Sequence, residues 1–353
     1  MLSENKLQEL RGRLESAQQP VFYYDNDADG LCSFLLLRRW LGRGEGVAVR
    51  SYPELGEEYA RKAAEKGADL AVVLDKPVVA PAFFRALEHA NIAAVWIDHH
   101  AVQQEHALLP ASVSIYNTAL TRQGKREGEP VSALAFAVCR RKEDVWIAVM
   151  GCIADHYLPG FTSEFVKRYP EYWKKNIRAP FDAYYATEIG KIARALNFGL
   201  KDSASNVERL QEYLLRCKNP EDVLAEVPEN EQFRVMLATL QRRYDELLEK
   251  ASSAREGKAI FFSYGGATSM SADLANALAY RYPECRVAVA YLKGAFANVS
   301  LRGKGVRCIL ERLLEKFEYA SGGGHEEAVG ARIQSKDIER FREEWKQEAE
   351  REV

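Results

Sequence analysis

Short apolar runs alternate with helical patterns along the first 160 residues. After an amphipathic, charged opening stretch, MLSENKLQELRGRLESAQQP, the run VFYY (Val21 to Tyr24) precedes GLCSFLLLRRWL, and GVAVRSY precedes the charged EEYARKAAEKG. DLAVVLD then precedes PAFFRALEHA, and IAAVWID runs into a loop. Runs continuous in Val, Ile and Ala, each followed by a helical pattern, predict a parallel sheet covered by helices on both faces. In such sheets ligands bind beyond the carboxyl ends of the strands, so the residues that close each run matter most.

Those closing residues are acids and histidines. Asp25, Asp27 and Asp29 follow the first run, Asp75 ends AVVLD, and Asp98, His99 and His100 end AAVWIDHH. Asp155 closes WIAVMGCIAD, a helix or a strand running into a turn. From about Phe161 to Glu256 the pattern turns helical, with apolar residues at i, i+3, i+4 and i+7 in QFRVMLATLQRRYDELLEKASSA, and predicts a connector between lobes. A second α/β segment runs from KAIFFSY through SADLANALAYRY, CRVAVAYLK and NVSLRGKG to SGGGHEEAVGARI. The closing SKDIERFREEWKQEAEREV predicts a charged, surface-docked helix. The expected fold class is therefore α/β: a parallel-sheet N-terminal domain (1–160), a helical connector (161–256), a smaller α/β C-terminal domain (257–335) and a terminal helix (336–353).

Composition narrows the class of function. A chain of 353 residues with 47% hydrophobic and 28% charged residues has ample core for two or three domains and is not disordered. Lys and Arg number 49 against 51 Asp and Glu, a net charge of −2, which excludes binding of long nucleic acid by bulk positive charge. The opening stretch has no apolar core of a secretory signal, and no window approaches the ~20 apolar residues of a membrane span. Six cysteines lie scattered without CxxC spacing, which argues for reduced, mostly buried thiols in a cytoplasm and against a disulfide framework or a zinc site.

Three carboxylates at alternate positions in Asp25-Asn26-Asp27-Ala28-Asp29-Gly30 repel one another, and at an apolar strand end this is costly unless a cation neutralises them. Asp75 and Asp155 add two acids, and His99 adds an imidazole. An oxygen and nitrogen donor set without thiolate suits Mn²⁺ or Mg²⁺, with Mn²⁺ favoured once imidazole joins. There are more donors than one ion needs, which points to two ions. Taken singly, each piece has a plain reading: an acidic turn or Ca²⁺-type loop, a helix cap at Asp75, surface histidines. Their joint placement at successive strand ends favours a cation centre.

The ordered set Asp27-x-Asp29-Gly30, Asp75, Asp98-His99-His100 and Asp155 resembles the four motifs of the DHH phosphoesterase superfamily. NVSLRGKG and Ser321-Gly322-Gly323-Gly324-His325 resemble the C-terminal DHHA1 substrate-binding domain shared by RecJ-like exonucleases and nanoRNase/pAp phosphatases. The resemblance covers about Val21 to Ile333, with the helical connector its least familiar part. It implies that Asp27 and Asp75 bind one metal, while Asp29, Asp75, His99 and Asp155 bind the other. It implies further that Asp98 orients His99, and that His100 faces the scissile phosphate or leaving group. Many members carry a histidine where this chain has Tyr23, and Asp25 stands as the replacement ligand.

In the second lobe, Gly322, Gly323 and Gly324 would let the backbone approach a ligand and present N–H groups to an anion, with His325 as a further donor. Arg302 offers a forked donor for phosphate, with Ser300 and Asn298 as helpers. His156 is left out as a ligand, since adjacent residues point apart. Tyr169, Tyr172, Trp173, Tyr184 and Tyr185 read as helix packing ahead of base stacking.

The leading expectation is a Mn²⁺-dependent phosphodiesterase that degrades short RNA or DNA oligonucleotides from an end to nucleoside monophosphates, with two metal ions (Mg²⁺ as the alternative). Three other readings stay open: a RecJ-like single-stranded DNA exonuclease, a catalytically silent, replication-associated scaffold, and a cyclic dinucleotide phosphodiesterase. The expected location is the cytoplasm, away from membranes, with a homodimer as one open oligomeric state. Sugar preference and direction of digestion stay open.

Overall fold

The computed structural model describes residues 1–50, 55–101, 109–121, 128–324 and 326–351, so His325 of the glycine run lies outside the described residues. The chain divides into two units, Met1–Leu237 and Ala238–Val353.

The first unit opens with α1 (Glu4–Ser16) and then alternates β1 (Pro20–Asp25), α2 (Ala28–Leu41), β2 (Glu45–Val49), α3 (Glu57–Glu65), β3 (Leu70–Leu74), α4 (Pro81–His89), β4 (Ala93–Asp98) and β5 (Val113–Asn117). The five strands form a parallel sheet in the order β2-β1-β3-β4-β5. Successive side chains point to opposite faces, which is why the runs are apolar throughout. Phe22, Tyr24, Val72, Leu74, Val95 and Ile97 face the core that holds α1 and α2. Val21, Tyr23, Ala71, Val73, Ala94 and Trp96 face the core that holds α3 and α4. Both faces are covered, as the continuous runs predict.

The strand order reverses at β1, whose neighbours are β2 on one side and β3 on the other. In open parallel sheets a crevice forms at such a switch point, beyond the carboxyl ends of the strands. Asp25 closes β1, Asp75 follows β3 and Asp98 closes β4, so the acids line that edge. WIAVMGCIAD forms α6 (Val145–Ala154), after α5 (Val131–Cys139), and Asp155 is its C-cap.

The helices α7 (Thr162–Arg168), α8 (Pro180–Ala186), α9 (Glu188–Gly199) and α10 (Ala204–Leu214) fall in the stretch read from sequence as a connector. They belong instead to the first unit: Phe165, Ile189, Leu196 and Leu210 share the core of α2, α5 and α6. Helical periodicity marks which face is apolar but not which surface it meets, and here that surface is the sheet-backed core. Tyr169 and Tyr184 are buried in the same core, with Tyr172, Trp173 and Tyr185 packed against it, which agrees with the packing reading. α11 (Glu231–Ser253) carries the chain from one unit into the next.

The second unit contains β6 (Arg255–Glu256), β7 (Ala259–Gly265), α12 (Ser271–Arg281), β8 (Arg286–Lys293), β9 (Phe296–Arg302), α13 (Val306–Leu314), β10 (Ser321–Gly324), β11 (Ala328–Gln334) and α14 (Ile338–Glu350). Its sheet runs β10-β11-β9-β8-β7-β6, with β7 and β8 parallel and the other pairs antiparallel. The charged terminal helix α14 docks through Ile338, Phe341, Trp345 and Ala349, which join Phe261, Val299 and Leu310 in this unit's core. The cysteines are free, and only Cys308 is exposed.

Candidate metal centre

The acidic loop after β1 is built around helix α2. Asp27 is its N-cap, with an extended φ of −139°, and its Oδ1 accepts the Gly30 N–H at 2.9 Å. A Cβ on Gly30 would meet the Asp25 carbonyl oxygen at 2.5 Å, so only glycine lets the loop fold back on itself here. Asn26 ties the loop to the end of α9 by donating Nδ2–H to the Leu200 carbonyl at 3.1 Å. The helices after α6 thus hold the loop in place.

Asp29 lies in the first turn of α2, and its carboxylate reaches the start of α5. The Val131 N–H donates to Oδ2 at 2.8 Å and the Ser132 N–H to Oδ1 at 3.0 Å. These amides have no partner within α5, and a carboxylate at a helix N-terminus also meets the positive end of its dipole. Asp29 is 1% exposed, and burial, followed by the charges of Asp75 and Asp155, pushes its carboxyl up to about 8. Burial and the neighbouring Asp75, Asp25 and Asp29 hold Asp27 well above the usual carboxylate range.

Asp75 follows β3 with φ 60°, a left-handed backbone that Asp and Asn tolerate better than other side chains. This turn sets its carboxylate beside His99: Oδ1 lies 3.3 Å from His99 Nε2, and Asp155 Oδ2 lies 3.4 Å from the same nitrogen. Asp29, His99 and Asp155 bring ligand atoms within 4.8 Å of one another, as do Asp75, His99 and His100. The two groups share His99. Donors on one divalent ion sit about 3 Å apart when each bond is about 2.1 Å, so this spacing suits an ion. Asp75 Oδ1 and both His99 ring nitrogens are buried without a hydrogen bond. Buried polar atoms left unpaired ask for an ion or a water, and an imidazole among carboxylates is a donor set for Mn²⁺ or a similar ion. Asp29, Asp75, His99 and Asp155 therefore fit a divalent cation.

Without a cation the site is protonated in its place. Burial disfavours the imidazolium of His99, but the carboxylates of Asp155 and Asp75 outweigh it and raise its pKa well above the ordinary value. Burial raises Asp75, yet His99, His100 and Lys76 outweigh it and hold that carboxyl below its usual range.

Two sequence expectations change on contact with the geometry. Asp98 does not pair with His99. Its Oδ1 lies 2.8 Å from His100 Nδ1, and its Oδ2 accepts the His100 backbone N–H at 3.2 Å. Asn117, which closes β5, donates to Asp98 Oδ2 at 3.2 Å and to the His100 carbonyl at 2.9 Å. Asp98 and Asn117 thus fix the ring of His100. Asp25 belongs to neither ligand group, because the ammonium of Lys76 lies 2.8 Å from its Oδ1. β1 and β3 are neighbours in register, Tyr24 beside Leu74, so the residues just beyond both strands meet. Asp27 also lies outside both groups. Tyr23 is no ligand: it is buried on the opposite face and donates its hydroxyl to the Tyr59 carbonyl at 2.8 Å. His156 turns away to stack on Phe181, with ring centres 3.9 Å apart. Sequence reading missed Lys76 and Asn117; the signal for both was their place at the carboxyl end of an apolar run.

In the second unit the glycine run forms the exposed edge strand β10. A Cβ on Gly322 would meet the Gly330 carbonyl oxygen at 2.5 Å, and one on Gly324 the Ala328 carbonyl oxygen at 2.6 Å. Gly323 and Gly330 pair across β10 and β11 with open space above each, and Gly330 pairs with Ser300 on β9. Alternation along β9 puts Asn298, Ser300 and Arg302 on one face. Arg302 is held by Asn276 Oδ1 at 2.5 Å and by the carbonyls of Leu301 and Val329 at 2.8 and 3.3 Å. Ser300 donates to the Ser271 hydroxyl at 3.0 Å.

No protein-family model matches the chain, and no curated protein matches its sequence. Solved structures do resemble it. RecJ from Thermus thermophilus, in complex with Mn²⁺, superposes with a TM-score of 0.67 at 20% identity; the match covers 100% of this chain and 56% of that one. An exonuclease RecJ bound to manganese gives 0.63 at 20% identity, over 100% of this chain and 96% of that one. A DHH domain from a member of a ribosomal-protein family gives 0.66 at 14% identity, over 98% and 89%. This chain thus spans little more than half the length of the Thermus RecJ. With the parallel sheet, its acid-lined edge and the mixed second sheet, these likenesses show that the chain shares the fold of these RecJ and DHH-domain structures.

Proposed function

We propose that the chain is a divalent-cation-dependent phosphoester hydrolase that removes nucleotides from an end of short oligonucleotides, with Mn²⁺ as its preferred ion. The observation that carries this reading is the orphaned Asp75 Oδ1 and His99 ring, buried beside Asp29 and Asp155 at ligand spacing. When bound, the cation supplies charge neutralisation for the phosphate and an activated water for in-line attack. The chain's own groups do the rest. His100, its Nδ1 held by Asp98, presents Nε2 to the leaving oxygen as a proton donor. Arg302, held by Asn276 through Nε and by two backbone carbonyls through Nη1, sets a fixed positive charge for a phosphate. The row Gly323, Gly330, Ser300 gives a floor on which backbone comes close to a ligand.

Short substrates follow from charge. A chain with 49 basic and 51 acidic residues lacks the counterion-release term that holds long strands. Digestion of a ladder from dimers to about 20-mers, at two salt concentrations, tests this. Rates on dimers to tetramers should be highest and nearly independent of salt; rates that climb with length and fall with salt would point to a long-strand exonuclease instead.

Two variants probe the assigned roles. Asp98→Ala leaves the His100 ring unanchored and should lower kcat by about 10–100-fold, while the Asp29, His99 and Asp155 group, which Asp98 does not touch, still binds Mn²⁺. Gly323→Val places a side chain in open space, so its melting temperature should match that of the wild type while KM for a dinucleotide rises. An unchanged KM would remove β10 from the substrate surface.

A further inference from the structure

We propose that Lys76 supplies from the chain itself one of the positive charges the acid cluster requires, so that the centre takes a single divalent ion rather than a pair. The inference rests on the cation site of the proposed function and says how that site is completed. Lys76 is 5% exposed, and a buried ammonium persists only beside a partner. Its Nζ lies 2.8 Å from Asp25 Oδ1. Its main chain is fixed as well, since Trp96 donates Nε1–H to the Lys76 carbonyl at 2.9 Å.

The ligand geometry agrees. The groups able to hold a metal both converge on His99, from Asp29 and Asp155 in one and from Asp75 and His100 in the other. The acids left over, Asp25 and Asp27, are those a second ion would need. Asp25 is taken by Lys76, and Asp27 joins no group of three donors among the described residues. An ammonium is a weaker electrophile than a divalent ion, but it is tethered and cannot be chelated away.

The test is Mn²⁺ stoichiometry, measured by calorimetric titration together with electron paramagnetic resonance of the loaded protein. Wild type should bind one ion per chain with the hyperfine pattern of an isolated Mn²⁺. Lys76→Met leaves Asp25 without its partner and should raise the count to two, with the broadened spectrum of a spin-coupled pair; Lys76→Arg should stay at one. Asp25→Asn serves if Lys76→Met does not fold: a single-ion centre keeps its one ion in that variant. Two coupled ions in wild type overturn the inference and leave the proposed function standing. A count of one in folded Lys76→Met overturns it too, since Lys76 then does not set the number. No bound ion in wild type overturns both.

Discussion

Replacing His99 with alanine should cost at least about 10³-fold in phosphodiester hydrolysis, the upper end of what one electrostatic contact to the reacting phosphate supplies. The same change should destabilise the metal-free fold most at low pH, where the protonated ring lies against the carboxylates of Asp75 and Asp155, and less as pH rises. His99 is 5% exposed, yet neither ring nitrogen makes a hydrogen bond. Its removal takes a positive charge from between two carboxylates and opens a small cavity. What disappears is the shared donor of both ligand groups, so added Mn²⁺ should no longer raise the melting temperature. Asp75→Asn makes the companion test: asparagine accepts the backbone at φ 60° while the carboxylate is lost. Should either variant retain wild-type turnover in Mn²⁺, the centre is not the catalytic one. If melting of both still responds to Mn²⁺ as in wild type, the ion binds elsewhere.

In the presence of a chelator the protein should lose stability as pH rises from about 5 to about 8. Asp29 titrates at about 8 in the fold against 3.8 when free. Between those values the folded state holds a proton that the unfolded state has released, so stability falls with pH and levels off above about 8. Over that span the shift is worth on the order of 5 kcal/mol. Asp27, also raised, acts in the same direction. His99 adds to it: a histidine raised in the fold contributes stability that is complete below 6.5 and is lost as pH climbs through the folded value. Asp75 is lowered, so its contribution is already complete above 3.8 and does not oppose the trend in this window. A cation must displace these protons, so its affinity should rise with pH, and saturating Mn²⁺ should narrow or reverse the fall. Thermal melts at pH 5.5, 7 and 8.5, with chelator and with Mn²⁺, decide the matter. A flat chelated series would show that the acids are not crowded in the metal-free fold.

Much of this centre is legible in the chain because strand ends are legible. An apolar run that stops at an acid says where the acid goes, and Asp75 lies 3.3 Å from His99 Nε2; Asp29 and Asp155, which reach the same histidine, come from a helix start and a helix end. Pairings within the cluster are another matter. Whether Asp98 holds His99 or its neighbour depends on ring orientation over distances such as the observed 2.8 Å to His100, and no spacing rule resolves that. Lys76 escaped notice because a lysine after a strand reads as surface charge, and only the registry of β1 with β3 brings it to Asp25. The stretch after α6 misled for a similar reason: its apolar stripes were plain, but they pack on the core of α2 and α5 and do not form a connector between lobes. Glycines at 322–324 serve an edge strand as well as they serve a turn.

The left-handed backbone at Asp75 has a consequence for descent as well as for chemistry. Most side chains would strain that corner, so the substitutions it admits at little cost are glycine and asparagine. Asparagine is one base change away from aspartate, and it erases the charge while it keeps the shape. Under the proposed function, one base change at this corner removes the charge that holds the cation and leaves the backbone turn intact.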